Sequence, residues 1–161
     1  MAKIKENKHD NFLILVSAGL LILLLTLLLL PYTRLGKTNT TVAIDNQTIT
    51  AEVAGDEMER EKGLSGRKNL NGDFGMLFVF DEAKKYPFWM KDMNFPIDII
   101  WINNKKVVDI TEHAYPEPKE SESLRVYTPE ESAKYALEVN ANFARENGIR
   151  VGDPVESPVF K

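Results

Sequence analysis

The chain has 161 residues, a formal net charge of −4, 43% hydrophobic residues and no cysteine. That length supports one domain plus an appendage, and the missing cysteine excludes a disulfide framework or a lipid-modified N-terminal cysteine. Charge is unevenly placed: residues 1–40 hold five Lys/Arg and two Asp/Glu, which leaves a net of −7 for residues 41–161, a poor match to nucleic-acid phosphates or an anionic lipid surface.

Residues 1–11 form a polar, basic tail. Phe12–Leu30 is an uncharged, leucine-rich run interrupted only by Ser17, Gly19 and Thr26, and as a helix it would span roughly 28 Å, close to a hydrocarbon core. Residues 12–32 are therefore expected to be a retained transmembrane anchor whose partner is the lipid bilayer. A cleaved signal peptide is the alternative, but it has a shorter apolar core and a small-residue cleavage site, which Leu29–Arg34 does not offer. Lys3, Lys5 and Lys8 before the run, against Arg34 and Lys37 after it, predict a cytoplasmic N-terminus and an extracytoplasmic domain in a single-pass protein of the cell membrane. Residues 33–40 read as a linker and 41–161 as the domain.

Thr41–Ala54 predicts a β-hairpin turning at Asp45-Asn46, with Val42 and Ile44 alternating against Ile49, Ala51 and Val53 on the return. Asp56 is placed to cap a two-turn helix running to Lys62, with Gly63 after its end. The like-charged Glu57 and Glu61 imply that packing, not propensity, holds this helix. Leu64–Gly75 is a glycine-rich connection bracketed by Arg60 and Arg67. Met76–Phe80 reads as an apolar strand and Asp81–Lys85 as a charged connection.

Tyr86–Ile102, reading YPFWMKDMNFPIDIIWI, is the densest stretch. Phe88–Lys91 suits a short strand with Trp89 and Lys91 on one face. Pro96 marks a strand start or edge, and Ile97–Ile102 is a nearly continuous apolar strand that carries one carboxylate, Asp98. Burial there demands a cation, several N–H donors or a raised pKa. An Asn103-Asn104 turn should return the chain through Lys105–Thr111. Tyr115–Glu131, rich in proline and acids, reads as a long solvated loop. Ser132–Asn140 resumes a strand, with Tyr135, Leu137 and Val139 opposite Lys134, Ala136 and Glu138. Ala141–Asn147 fits a short helix ended by Gly148, and Ile149–Val155 a last hairpin about Gly152-Asp153. The sum is a mainly β domain, a sandwich or distorted barrel of about seven or eight short strands with two short helices, behind the N-terminal transmembrane helix.

The run Phe88-Trp89-Met90-Lys91 followed by Pro96-Ile97-Asp98-Ile99 resembles the hallmark of the prokaryotic domain of unknown function family 192. Glu59-Arg60 with Gly63-Leu64 and Arg67, Gly75–Phe80, Leu137–Asn140 and Gly152-Asp153 are similar to its other blocks, so the resemblance covers roughly residues 41–156. Ser65 stands where the family usually has methionine, and Asn142 where glycine is common. The resemblance implies a small, mostly β domain, often behind an export signal, with no established activity.

Residue chemistry leaves several readings. His113 is the only histidine of the domain, so histidine-based triads have one possible base. No phosphate-cradling glycine motif or zinc pattern is present, and the sequence specifies no cofactor. The favoured reading is a small-molecule or cell-envelope glycan site made by Arg60, Arg67, Trp89, Lys91, Asp98 and Glu138. The alternatives are a hydrolase using Asp98 and Glu138 as a carboxylate pair, a Cu(I) site from Met90, Met93 and His113, and a structural or partner-interaction domain. Against these stand the ordinary roles: core methionines, a solvated histidine, arginines satisfying surface groups, and a buried structural carboxylate.

Overall fold

The computed structural model describes residues 8–29, 38–118 and 124–161. Two compact units make up the chain, residues 1–37 and 38–161. The first contains helix α1, Lys8–Leu29, which coincides with the apolar run. Its described side chains, residues 16–26, are exposed. Among the described residues no helix is long and apolar enough to cross a membrane. Most of the expected tail and linker lie outside the described residues.

The second unit is built on one curled sheet of seven strands, ordered β6-β5-β8-β3-β2-β1-β9. Strands β1 (Asn39–Ile44) and β2 (Gln47–Ala54) form the expected hairpin, with Asp45 in the left-handed region at φ 50°. Helix α2 (Glu57–Lys62) then crosses to β3 (Phe74–Lys84), which lies parallel to β2. The remaining ladders are antiparallel: β5 (Ile97–Asn103) with β6 (Lys106–Ala114), β5 and β3 with β8 (Ala133–Asn140), and β1 with β9 (Val155–Glu156). A bridge between Lys106 and Pro154 brings the approach to β9 back towards β6, so the sheet is a half-barrel and not one layer of a sandwich. Short helix α3, Phe143–Glu146, precedes that approach.

Period-two side-chain placement then sorts the residues into two cores. The inner face holds Val42, Ile44, Ile49, Leu77, Ile100, Ile102, Tyr135, Leu137 and Val139, all buried, with Ala144 of α3 among them. The outer face of β3, β5 and β8 holds Met76, Phe78, Ile97, Ile99, Trp101 and Ala136, covered by Leu64 and Met90. Both faces of β5 are covered, which is why its sequence lacks a polar alternation. At Gly75 the backbone of β8 leaves no room for a side chain: a Cβ there would sit 2.7 Å from the Glu138 carbonyl oxygen.

Several expectations are corrected. Strand β3 continues through the charged residues to Lys84, because a register shift between Val79 and Lys84 carries it past its polar segment. The β5–β6 turn is Asn104-Lys105, both at positive φ, the pairing that matches strand twist in a two-residue hairpin. No closing hairpin forms about Gly152-Asp153; residues there hydrogen-bond to β6 through Val107 N–H to the Asp153 carbonyl and Gly152 N–H to the Val107 carbonyl. The acidic loop is not wholly irregular, since Val126–Tyr127 (β7) pairs with Phe88–Trp89 (β4) in a separate two-stranded sheet; residues 119–123 of it lie outside the described residues. Helix α2 contributes no buried residue of its own. A capping box fixes it instead: Asp56 Oδ1 accepts from the Glu59 N–H at 2.8 Å while Glu59 Oε2 accepts from the Asp56 N–H at 3.2 Å, and such boxes satisfy two otherwise unpaired donors.

Candidate functional site

The outer face carries the cleft. Phe78 and Phe80 rise from β3, and the chain after Lys84 brings Tyr86 and Phe88 over them. Phe80 and Tyr86 stack with centroids 3.7 Å apart, and Phe88 meets Phe78 and Trp101 edge-on at 4.9 Å, geometries in which aromatic quadrupoles attract. Helix α2 and its C-terminal turn, Gly63 to Ser65, form the opposite wall. Between them lies a cleft of about 680 Å³ lined by Arg60, Leu64, Ser65, Phe78, Phe88, Trp89, Met93 and Glu138 among others, a size suited to a small ligand. Trp89 is 45% exposed there.

Glu138 is the unusual group in this cleft. Its neighbours across the ladders are Met76 on β3 and Ile99 on β5, so it shares their apolar face. The residue is 6% exposed, and its Oε2 has no hydrogen-bond partner among the described residues. Burial pushes the carboxyl up to about 8, and the Arg67 charge only partly offsets this. Such a group stays protonated near neutrality because an ionised carboxylate without a partner is too costly in a desolvated position. The Tyr127 hydroxyl is likewise buried without a partner among the described residues, on the strand that pairs with Phe88.

Of the six residues expected to form a site, three line the cleft: Arg60, Trp89 and Glu138. Arg60 is already engaged. Its Nη1 donates to the carbonyls of Gly55 at 2.6 Å and Val79 at 3.0 Å, and the guanidinium lies 5.5 Å from the Phe80 ring centroid. Arg67 pairs with Glu52 at 2.7 Å, within range to influence Glu138 but outside the lining. Lys91 is exposed and contributes its carbonyl, which accepts from Ser65 Oγ at 2.9 Å. Asp98 belongs to the other face. It pairs with Val139 and is fully buried, and its two oxygens accept from the N–H groups of His113 at 3.0 Å and Ala144 at 3.1 Å. Several N–H donors were one of the outcomes its sequence position demanded, and they make it a clamp between β6 and α3.

Because cross-strand partners share a face, Asp98 (with Val139) and Glu138 (with Ile99) point to opposite sides of the sheet. They cannot act on one bond as a carboxylate pair. Nor does the copper trio assemble as a built site: Met90 is buried in the outer core with Met93 beside it, while the His113 ring, reached by Asn142 Oδ1 at 2.7 Å from Nε2, is held at the start of α3. That bond also replaces the solvated histidine expected from sequence. Among the described residues no three His, Cys, Asp or Glu side chains gather as metal ligands.

Sequence reasoning missed Ser65, Phe78, Phe80 and Tyr86 as lining residues. The alternation of Phe78 and Phe80 about Val79 was the available signal, since it places both rings on the face that also bears Met76. Ser65 is the departure from the family pattern, and its hydroxyl, with the Gly66 N–H to the Asp92 carbonyl at 2.9 Å, stitches the α2 turn to the segment after β4.

Comparison with known proteins agrees with this architecture. A UPF0127 protein of Thermococcus gammatolerans is 28% identical over 103 residues, which are 63% of this chain and 62%, less than two thirds, of that protein. A crystal structure from Sinorhizobium meliloti 1021, of a protein provisionally described as a transcription regulator, superposes with a TM-score of 0.69 at 28% identity, covering 77% of this chain and 97% of that one. A protein of unknown function from Novosphingobium aromaticivorans gives a TM-score of 0.69 at 26% identity, covering 77% and 89%. Residues 40–157 match the DUF192 family, described as Uncharacterized ACR, and the chain belongs to that family.

Proposed function

We propose that residues 41–161 form a binding domain for a small amphipathic or glycan-like ligand, tethered to a membrane by residues 12–32 and carried on its extracytoplasmic side. The apolar part of the ligand lies on Phe78, Phe88 and Trp89, and its polar group meets Glu138. One observation carries the reading: Glu138, a residue only 6% exposed whose Oε2 has no partner among the described residues, lines an aromatic cleft. Buried polar atoms are overwhelmingly satisfied in folded proteins, and an orphan on a residue that lines a cleft is accounted for by a ligand that supplies the missing bond. Binding is preferred over hydrolysis because the second carboxylate needed for a pair lies across the sheet. Nucleic-acid binding is opposed by the net charge of −7 on residues 41–161, which repels phosphates. The apolar length of residues 12–30 and the preceding lysines support the tether and its orientation.

Trp89 gives the test its signal, being 45% exposed while Trp101, the other tryptophan, is fully buried. Fluorescence titration of a panel of muropeptides, amino sugars and aromatic fragments is expected to find compounds that perturb Trp89 emission and raise the melting temperature. The Phe88→Ala variant should lose both effects. A panel without any such compound, or hits unaffected by that substitution, would remove the cleft from consideration.

A further inference from the structure

We infer that the head group this cleft accepts is an organic cation bearing N–H donors, a primary ammonium or an amidinium, seated against Glu138. The inference rests on the ligand-binding reading above and adds the charge and hydrogen-bonding class of the ligand. Glu138 is a buried carboxyl whose Oε2 has no hydrogen-bond partner among the described residues. The basic group whose charge acts on it, Arg67, is committed to Glu52 at 2.7 Å, and the side chains of the cross-strand neighbours Met76 and Ile99 bring neither charge nor donor.

The rest of the cleft favours the same sign. Of its cations, Arg60 is engaged by two carbonyls and the Phe80 face, and Lys84 pairs with Glu82 at 2.8 Å. Lys62 lines the cleft too, and so do Glu57 and Glu61 of α2 and Asp81 of β3. An anionic head would meet this excess of carboxylates. A cation is attracted by them and by the negative faces of Phe78, Phe88 and Trp89. Oε2 lacks a donor and is desolvated, so a charged N–H donor supplies the stronger, charge-assisted bond. On binding, Glu138 gives its proton to bulk water and the ligand keeps its own, which leaves an ion pair in the cleft.

The test compares benzylamine with its uncharged counterpart benzyl alcohol, by calorimetric titration of the full-length chain in lipid nanodiscs, with empty nanodiscs as the blank. Benzylamine should bind at least about tenfold tighter than benzyl alcohol, the step set by one charge-assisted contact. Near pH 7 it should release close to one proton, read from buffers of different ionisation heat. Its affinity should rise roughly twenty-fold from about pH 6.5 to 8.5, as the ionised, binding-competent form of Glu138 becomes populated. Glu138→Gln should abolish both the preference for benzylamine and the proton release. Equal affinities for the two probes, binding of benzylamine without proton release, or a preference that survives in E138Q would each overturn the cation and leave the cleft standing. Failure of both probes to bind would overturn the cleft as well. Proton release is read on the unaltered chain, so the inference does not depend on the variant folding.

Discussion

Replacing Glu138 with glutamine should flatten the pH dependence of stability. In the folded chain, burial raises this carboxyl from 4.5 to about 8. Below the lower value both folded and unfolded chains hold the proton and there is no penalty. Between the two values the unfolded chain has released it and the folded chain has not, so the unfolded state binds fewer protons and stability falls as pH rises. Above the upper value the full penalty persists. From about pH 5 to about pH 8 the interval is roughly three pH units, each worth about 1.4 kcal/mol, or about 4 kcal/mol in all. Glutamine cannot ionise. Its amide is also left incompletely bonded, a cost of about 1–3 kcal/mol that does not vary with pH. Urea unfolding of residues 38–161, which contain both cores, measures the difference between variant and parent at the two pH values. That difference should move in favour of E138Q by about 4 kcal/mol on going from pH 5 to pH 8. Parallel profiles, agreeing within about 1 kcal/mol, would mean that Glu138 titrates alike in both states, and the reasoning about its burial would be wrong.

Two further substitutions test the scaffold. Asp98→Ala strips the acceptor from the N–H groups of His113 and Ala144 and should cost about 3 kcal/mol or more, read as a fall in the urea midpoint; a loss under about 1 kcal/mol would deny its role as a clamp. Gly75→Ala forces a Cβ to within 2.7 Å of the Glu138 carbonyl oxygen, where the obstacle is backbone and not a flexible side-chain end. It should cost about 1–3 kcal/mol by overpacking and weaken any ligand of the cleft, and an unchanged melting temperature would show that β3 and β8 separate easily.

The strand periodicities were legible where alternate side chains meet different surroundings, as in β1, where Val42 and Ile44 are buried and Thr41 is exposed. The assignment of Tyr135, Leu137 and Val139 against Ala136 and Glu138 matches the two cores directly. Local chemistry was legible where it is local: Asp56 capping α2, Asp45 in a left-handed turn, Gly63 ending the helix. What the sequence could not convey was pairing. That β2 lies parallel to β3, and that one sheet curls instead of two stacking, follow from contacts between distant segments. The same gap misled the site. Asp98 and Glu138 looked like partners because both are acids on apolar strands, yet their register sets them on opposite faces. Lys91 follows Trp89 by two residues, but β4 ends at Trp89 and the shared face ends with it.

One row across the outer face isolates what is peculiar to Glu138. Register aligns Glu52 on β2, Met76 on β3, Glu138 on β8, Ile99 on β5 and Thr111 on β6. The other polar members are matched within the protein: Glu52 holds Arg67 at 2.7 Å, and the Thr111 hydroxyl accepts the indole N–H of Trp101 at 3.0 Å. Glu138 has the most buried position of the polar three, at the centre of the row, and its Oε2 has no partner among the described residues. Folding alone would be better served there by an apolar side chain of similar volume, as for Met76 and Ile99 on either side. A rule observed by its neighbours and broken at one position, where the surface opens into a cleft, points to something the fold leaves for another molecule to complete.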